Sequence, residues 1–289
     1  LGKMKNGAYV LASETCALDV NGASFVRDVL PGEMVVVENG ALRSYRFTNG
    51  QDVASCIFEY IYFARPDSII DGQSVHAARF EMGRVLASGL RGDVVISVPD
   101  SGTTAATGFA YETGIPFAEG LIKNRYIGRT FIQPTQKQRD TAVKLKLSPV
   151  RSVVEGKSVI MVDDSIVRGT TSGKIVRLLR NAGAREIHVC ISSPPITDPC
   201  YYGIDTSVRK ELISATKSLE EIRDFIGADS LHFISIEGLR TCVPALNPDH
   251  MCYACFNNQY PVPEEDAALD VGDAITREQQ RLAQRERGM

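Results

Sequence analysis

Several features are missing from this chain of 289 residues, and each absence removes a class of function. No apolar run approaches the ~20 residues that a membrane-spanning helix requires. The chain opens Leu1-Gly2-Lys3-Met4, with neither an initiator methionine nor the charged-then-apolar pattern of a secretion signal. That opening reads as a truncation or processing mark. An excess of one charge is missing too: 32 Lys and Arg against 35 Asp and Glu leave a net charge of −3. Such balance excludes a nucleic-acid binder that works by bulk charge and leaves room only for a local basic patch. The cysteine count of seven is odd, and a chain this long needs no covalent staples, so a reduced, cytoplasmic setting fits better than a secreted disulfide framework. There is no Gly-x-Ser-x-Gly and no paired-histidine motif; His76, His188, His232 and His250 are scattered. His188 and His232 lie in strand patterns and read as packing or edge residues. What is present is 44% apolar and 23% charged residues, enough for a sizeable core and about two ordinary domains.

Residues 1–50 read as β structure. Ala8 to Ala12 and Met34 to Val37 are short apolar strands, and Asn39-Gly40 is a strong two-residue hairpin signal. Cys56 to Phe63 reads as an extended aromatic segment. From about residue 75 helix and strand alternate. Helices are expected over Ala77–Ser88, Ala105–Thr113, Lys174–Asn181 and from the Ser218 capping box to Phe225. Between them Asp93–Val98 and Ser158–Val162 read as strands buried on both faces, and Ile187–Ile191 and His232–Ile236 as further strands of the series. Alternation of this kind implies an α/β domain with a mostly parallel sheet and ligands at the carboxyl ends of its strands. The tail from Pro261 is apolar-poor, and no internal repeat is visible. The organisation expected is thus 1–50, 51–260 and a tail 261–289.

The sharpest local signal runs from Val162 through Asp163, Asp164, Ser165, Ile166, Val167, Arg168, Gly169, Thr170 and Thr171 to Ser172. It leaves a buried strand and enters an amphipathic helix, whose first N–H groups and hydroxyls form an anion site. Gly169 lets the backbone approach a phosphate closely. Two carboxylates directly upstream repel a phosphate unless a ribose or a Mg²⁺ stands between them. Two solvated loop acids ahead of a helix cap would give the same local pattern. A nucleotide-binding Walker loop fails on spacing, because Gly169 and Gly173 are one residue too close and Ile175 stands where Ser or Thr is required. No dinucleotide fingerprint is present.

This segment resembles the signature of the type I phosphoribosyltransferases, a pair of hydrophobic residues followed by Asp-Asp and Gly-Thr-Thr. More specifically it resembles the glutamine phosphoribosylpyrophosphate amidotransferases. Ser13 to Asp19, Phe58 to Ser68, Val98-Pro99-Asp100-Ser101, Gly120 to Tyr126 and Ser192-Ser193-Pro194-Pro195 match the same family in the same order, from residue 7 to about 260. The resemblance implies a type I phosphoribosyltransferase fold, preceded by a β-rich remnant of an N-terminal-nucleophile glutaminase domain.

By the same resemblance, Asp163 and Asp164 hold the ribose hydroxyls and Mg²⁺, and Ser165, Arg168, Gly169, Thr170, Thr171 and Ser172 wrap the 5-phosphate. Asp100, Ser101 and Gly102 match the pyrophosphate loop, with Ser101 near the Mg²⁺; a helix cap is the plainer reading of Asp100 and Ser101. Lys123 to Arg139 carries Lys123, Arg125, Arg129, Lys137 and Arg139 without an acid, which by itself is most often a solvated loop. In the family this segment closes over the substrate, with Lys123 and Arg125 the first choices as catalytic cations beside the departing pyrophosphate. The implied reaction is attack of ammonia on C1 of 5-phosphoribosyl 1-pyrophosphate, giving 5-phosphoribosylamine with inversion, in purine synthesis. No covalent protein nucleophile is needed.

Cys252-Tyr253-Ala254-Cys255 is a C-x-x-C, and Cys56 and Cys200 complete four thiols. Spacing alone leaves Zn²⁺ and an iron–sulfur cluster open. The resemblance implies a structural [4Fe–4S] cluster on Cys56, Cys200, Cys252 and Cys255. Cys190 reads as a buried small hydrophobe; Cys16 and Cys242 are unassigned. In the family the ammonia comes from glutamine through an N-terminal cysteine, whereas residues 7–48 match only the end of that domain. Ammonia, not glutamine, is the expected amine for this chain. Purine-nucleotide inhibitors and a homo-oligomer are implied, with no nucleic acid and no membrane partner. The alternative is a non-catalytic phosphoribosyl-pyrophosphate or purine-nucleotide sensor of the same fold, though no output module such as a basic helix-turn-helix is visible.

Overall fold

A computed structural model describes residues 1–47, 53–87, 89–124, 147–206 and 208–262. Of the residues singled out above, Arg125, Arg129, Lys137, Arg139 and most of the tail lie outside the described residues.

The first segment forms β1 (Gly2–Met4), β2 (Tyr9–Val10), helix α1 (Thr15–Val20), β3 (Ala23–Phe25), β4 (Glu33–Glu38) and β5 (Ala41–Arg46). β1 pairs antiparallel with β2 and β3, and β4 with β5. The hairpin expected at Asn39-Gly40 is present: both residues have positive φ, 50° and 76°, the backbone of a primed two-residue turn. The Ala8–Ala12 strand shrinks to two residues, and α1 is a helix where none was read.

β6 (Ser55–Cys56) is followed by a π-helical turn, Glu59–Phe63, so the extended reading of Cys56–Phe63 is corrected. A β-rich composition favours a strand there, but Tyr60 and Ile61 are fully buried and the turn's carbonyls have found a cationic donor (below). β7 (Ile69–Ile70) and β8 (Gln73–Ser74) form a small hairpin leading into α2 (Val75–Leu86). The core then assembles from β9 (Val94–Ser97), α3 (Thr103–Thr113), β10 (Leu121–Lys123), β11 (Leu147–Pro149), α4 (Arg151–Val154), β12 (Ser158–Asp163), α5 (Thr170–Asn181), β13 (Glu186–Ile191), α6 (Leu219–Ile226), β14 (Ser230–Phe233) and α7 (Ile236–Thr241). β15 (Met251–Cys252) and α8 (Ala254–Asn257) close the described chain.

The central sheet is parallel in the order β14-β13-β12-β9, and Phe117 bridges to Val95 on its far side. Every residue of β9 and β12 is buried, which explains their unbroken apolar reading: helices cover both faces. On one face Ile160, Val162 and Cys190 pack against Met82 of α2 and Phe109 of α3. On the other, Val159, Met161 and Val189 pack against Ile175 and Leu179 of α5 and Ile222 of α6. Burying each such side chain stabilises by ~1.5–3 kcal/mol. α6 starts at the Ser218 capping box and ends on Gly227 with φ of 76°. The strand expected at His232–Ile236 is instead Ser230–Phe233, because Ser235 accepts from Gly238 N and caps α7. α2 and α3 touch backbone to backbone: a Cβ on Gly83 would stand 1.8 Å from Ala105 O, and one on Gly108 would stand 1.9 Å from Phe80 O. That contact fixes the start of α3, and with it the loop that follows β9. His188 bridges neighbouring strands through hydrogen bonds with Ser158 and Ser230, and His232 bonds Ser230 two residues back on its own strand, so both are tied into the sheet.

Candidate active site

Two loops meet at the carboxyl ends of adjacent parallel strands. The first, Pro99 to Gly102, leaves β9 through a cis peptide between Pro99 and Asp100. The second leaves β12 at Asp163 and runs to the start of α5 at Thr170. Gly102 holds them together. A Cβ there would lie 2.5 Å from Val162 O and 3.1 Å from Asp163 Cα, so only glycine allows this approach. Sheet hydrogen bonding continues across the same point, since Val98 N donates to Val162 O at 2.9 Å.

Asp163 and Asp164 are both buried where the sheet ends. Asp164 N donates to Asp163 Oδ1 at 2.9 Å, and Ser165 Oγ donates to Asp164 Oδ1 at 2.5 Å. Burial, and then the neighbouring Asp164, push the Asp163 carboxyl well above the usual range. Two buried acids of this kind call for a cation or for hydroxyl donors. Gly169 opens α5 with φ of 72°, and no side chain caps that end. The first-turn N–H groups of Thr170, Thr171 and Ser172 are thereby left for an anion. Thr170 and Thr171 are exposed, and Ser172 is buried. Arg168 points away to an ion pair with Glu211, its Nε 2.9 Å from the carboxylate. Ser101 is half-buried beside Gly102.

Lys123, at the end of β10, reaches Asp100 with Nζ 2.6 Å from Oδ2. Both side chains are largely exposed, so the pair adds little stability and can open for a competing anion. Pro99, Asp100, Lys123 and Ser148 line a cavity of about 1070 Å³ on that side. A second cavity of about 510 Å³ lies over the loop from Ser165 to Ser172 and is walled opposite by Phe58, Tyr62 and Phe63. Sequence reading missed that wall as a site element because it took the aromatic segment for a strand. The i, i+4 spacing of Phe58 and Tyr62 is the signal that would have shown a helical turn.

The four cysteines of interest come together. Cys56 on β6 and Cys252 on β15 are direct partners in a parallel pair, and Cys255 lies in the turn of α8. The Cys255 carbonyl accepts from Thr197 N and Asp198 N, tying the segment before Cys200 to the same place. Burial pushes the Cys56 thiol up to about 11, with Cys252 and Cys200 adding to it. Cys255 is raised in the same way by burial and then by Cys56, Cys252 and Cys200. Among the described residues, no three His, Cys, Asp or Glu side chains converge closely enough to hold a single metal ion. The four thiols are nonetheless near enough to act on one another electrostatically. Cys190 is fully buried in the core, as expected; Cys16 and Cys242 are buried too. Among the described residues, no helix is long and apolar enough to cross a membrane.

The phosphoribosyl transferase domain family matches residues 73–216, which hold both loops. Amidophosphoribosyltransferase of Bacillus subtilis is 56% identical over 263 residues, covering 89% of this chain and 55% of that protein. The Archaeoglobus fulgidus relative is 52% identical over 265 residues, covering 91% of this chain and 58% of that protein. A solved structure of the B. subtilis glutamine phosphoribosylpyrophosphate amidotransferase, complexed with ADP and GMP, superposes with a TM-score of 0.84 at 55% identity. The superposition covers 91% of this chain and 58% of that one. The chain spans about half the length of these relatives. The parallel sheet with its two loops is the type I phosphoribosyltransferase fold, and the chain belongs to the amidophosphoribosyltransferase family.

Proposed function

We propose that this chain carries the phosphoribosyl-transfer chemistry of that family: ammonia displaces pyrophosphate from C1 of 5-phosphoribosyl 1-pyrophosphate, giving 5-phosphoribosylamine for purine synthesis. The observation that carries the reading is the pair of buried acids at the end of β12, wedged by Gly102 against the loop after β9 and running into an uncapped helix start. Asp163 and Asp164 hold the ribose 2- and 3-hydroxyls, and the first turn of α5 holds the 5-phosphate with Thr170, Thr171 and Ser172. Pro99 to Gly102 receives the pyrophosphate. Lys123 exchanges Asp100 for a pyrophosphate oxygen and stabilises the charge that develops as the C1–O bond breaks. Arg125 is assigned the same task. The residues bind and orient, and none need attack the sugar.

Asp163, Asp164 and Ser101 are the residues that would hold Mg²⁺, which neutralises pyrophosphate charge. Cys56, Cys200, Cys252 and Cys255 would hold a [4Fe–4S] cluster, which supplies a structural tie and no redox step. Burial first, and then the neighbouring cysteines Cys200 and Cys252, raise the proton affinity of the Cys56 and Cys255 thiols, and that supports a shared cationic group. The proposal extends to a homo-oligomer in a reduced compartment such as the cytoplasm, inhibited by purine nucleotides. The relative solved with ADP and GMP supports the last point.

The test is anaerobic purification, analysis of iron and sulfide, and a pyrophosphate-release assay with Mg²⁺, 5-phosphoribosyl 1-pyrophosphate and ammonium. Product is expected. A folded, iron-loaded sample that binds the sugar pyrophosphate without turnover would replace this reading with a non-catalytic sensor. Zinc without iron or sulfide would sink the cluster assignment.

A further inference from the structure

Arg79 sits in the interior of α2 with 3% of its surface exposed, on a face otherwise built from Ala78, Met82 and Leu86. A buried guanidinium is expensive unless its N–H groups are satisfied. Its described hydrogen bonds all run to backbone carbonyls of one turn: Nε donates to Tyr60 O at 2.8 Å, and Nη2 donates to Ala64 O at 2.8 Å and to Glu59 O at 3.5 Å. A single π turn leaves carbonyls that its own N–H groups do not reach, and Arg79 supplies the donors. Burial lowers its proton affinity, while the charges of Asp164, Glu14 and Glu59 oppose that.

The far side of the same turn presents Tyr62 and Phe63, 51% and 46% exposed, to the cavity over Ser165 to Ser172. Its downstream end is fastened independently. Glu14 Oε2 accepts from Arg65 N and from Ser68 Oγ, both at 2.8 Å, and Ile69 N donates to Thr15 Oγ1 at 2.8 Å. The carbonyls of Glu59, Tyr60 and Ala64 have Arg79. Core packing alone does not call for an arginine here, because an unbranched apolar side chain fills the same space without a desolvation cost.

We propose that Arg79 is a positioning residue of the phosphoribosyl site: its guanidinium pins the carbonyl ends of the Glu59–Ala64 turn and so fixes the aromatic wall of Phe58, Tyr62 and Phe63 that faces the loop from Asp164 to Ser172. The inference rests on the function proposed above. The chain contains no tryptophan, so Phe63→Trp gives a single-site reporter of the wall. In that background, Arg79→Met is expected to raise the acrylamide quenching constant about twofold. Ammonia-dependent kcat, measured with Phe63 left in place, is expected to fall about tenfold, since misplacing a site wall by even part of an ångström is costly. Arg79→Lys, whose one ammonium serves fewer carbonyls, is expected to lie between, with kcat lowered about threefold. All are read at a temperature where circular dichroism shows a folded chain.

Parental quenching and kcat in a folded Arg79→Met protein, with only a lower Tm, would make Arg79 a structural residue and overturn the proposal. If Arg79→Met does not fold, Arg79→Lys decides, and parental values there overturn it equally. If the parent itself makes no product, the function reading fails instead. The quenching comparison, which needs no turnover, still decides the positioning.

Discussion

Replacing Gly102 with alanine is the most direct test of the idea that two loops must meet at this point. Gly102 has φ of −75° and opens α3, so alanine brings no backbone strain. The obstacle is space alone. Its Cβ would stand 2.5 Å from Val162 O, about 1 Å inside an ordinary contact of ~3.5 Å. Val162 O cannot retreat, because it is held in the sheet by Val98 N at 2.9 Å. The loop after β9 must therefore move away from the acids by most of an ångström. Overpacking of this kind costs ~1–3 kcal/mol of stability. A 1 Å misplacement of reacting groups costs ~10²-fold in rate, or ~2.7 kcal/mol of barrier. The measurement is initial pyrophosphate release with saturating Mg²⁺ and ammonium, on protein shown to be folded by circular dichroism. A kcat/KM within threefold of the parent in folded Gly102→Ala would refute the reasoning, because the wedge would then be irrelevant to the chemistry.

Asp163→Asn should raise the Tm of the metal-free chain while cutting the ammonia-dependent rate about 100-fold, since a site acid is kept for chemistry at the expense of stability. The sign follows from its raised carboxyl: ionised Asp163 costs stability above its folded-state pKa, and that cost fades as pH falls toward the unfolded value. Melts in EDTA at pH 8 and pH 4 should show a gain that shrinks at the lower pH, and no gain at pH 8 would contradict the burial argument. Glu33 is held down to about 2 by the Arg27 side chain, then by Ser44 and the Leu30 N–H. Its contribution is full above an unfolded pKa of ~4.3 and is lost as pH falls from there toward 2, so the protection factors of the Val36 and Arg43 amides, partners across β4 and β5, should fall across that window and Glu33→Gln should abolish the dependence. Gly83→Ala pits a helix-propensity gain of ~1 kcal/mol against a Cβ 1.8 Å from Ala105 O. The clash should win and lower the Tm by more than ~4 °C; a higher Tm would mean that α2 and α3 can part freely.

What could be read from the sequence was whatever is encoded within a few neighbouring residues. The run from Val162 to Ser172 carries its own strand, acids, glycine and helix start; the first three stand where they were expected, and the helix opens at Thr170, four residues ahead of the Lys174 read from its apolar face. Asn39-Gly40 and the Ser218 box fix their elements just as locally, the first through positive φ and the second through reciprocal hydrogen bonds with Glu221. The failures share one cause. Cys56 to Phe63 has strand propensity throughout, yet it closes into a π turn because its carbonyls are answered from Arg79, 15 to 20 residues away. No residue within the turn announces that donor. α1 is six residues long and makes no hydrophobic period, and its place is set by Thr15 and Glu14 bonding to Ser68 and Ile69.

Arg79 and Gly102 belong together in this respect. Each is invisible to pattern reading, because its partners are backbone carbonyls that any sequence possesses. In the folded chain, one gains its meaning from a charge that must be satisfied and the other from a volume that must be absent. Both bear on the same site: Gly102 lets the loop after β9 approach Asp163, and Arg79 bonds the turn whose aromatic residues line the cavity over Ser165 to Ser172. A site of this construction divides its information between a legible motif that contacts the ligand and a tertiary frame that sets the motif's spacing. Substitutions in the frame should then alter rate while leaving the motif, and any family assignment made from it, untouched.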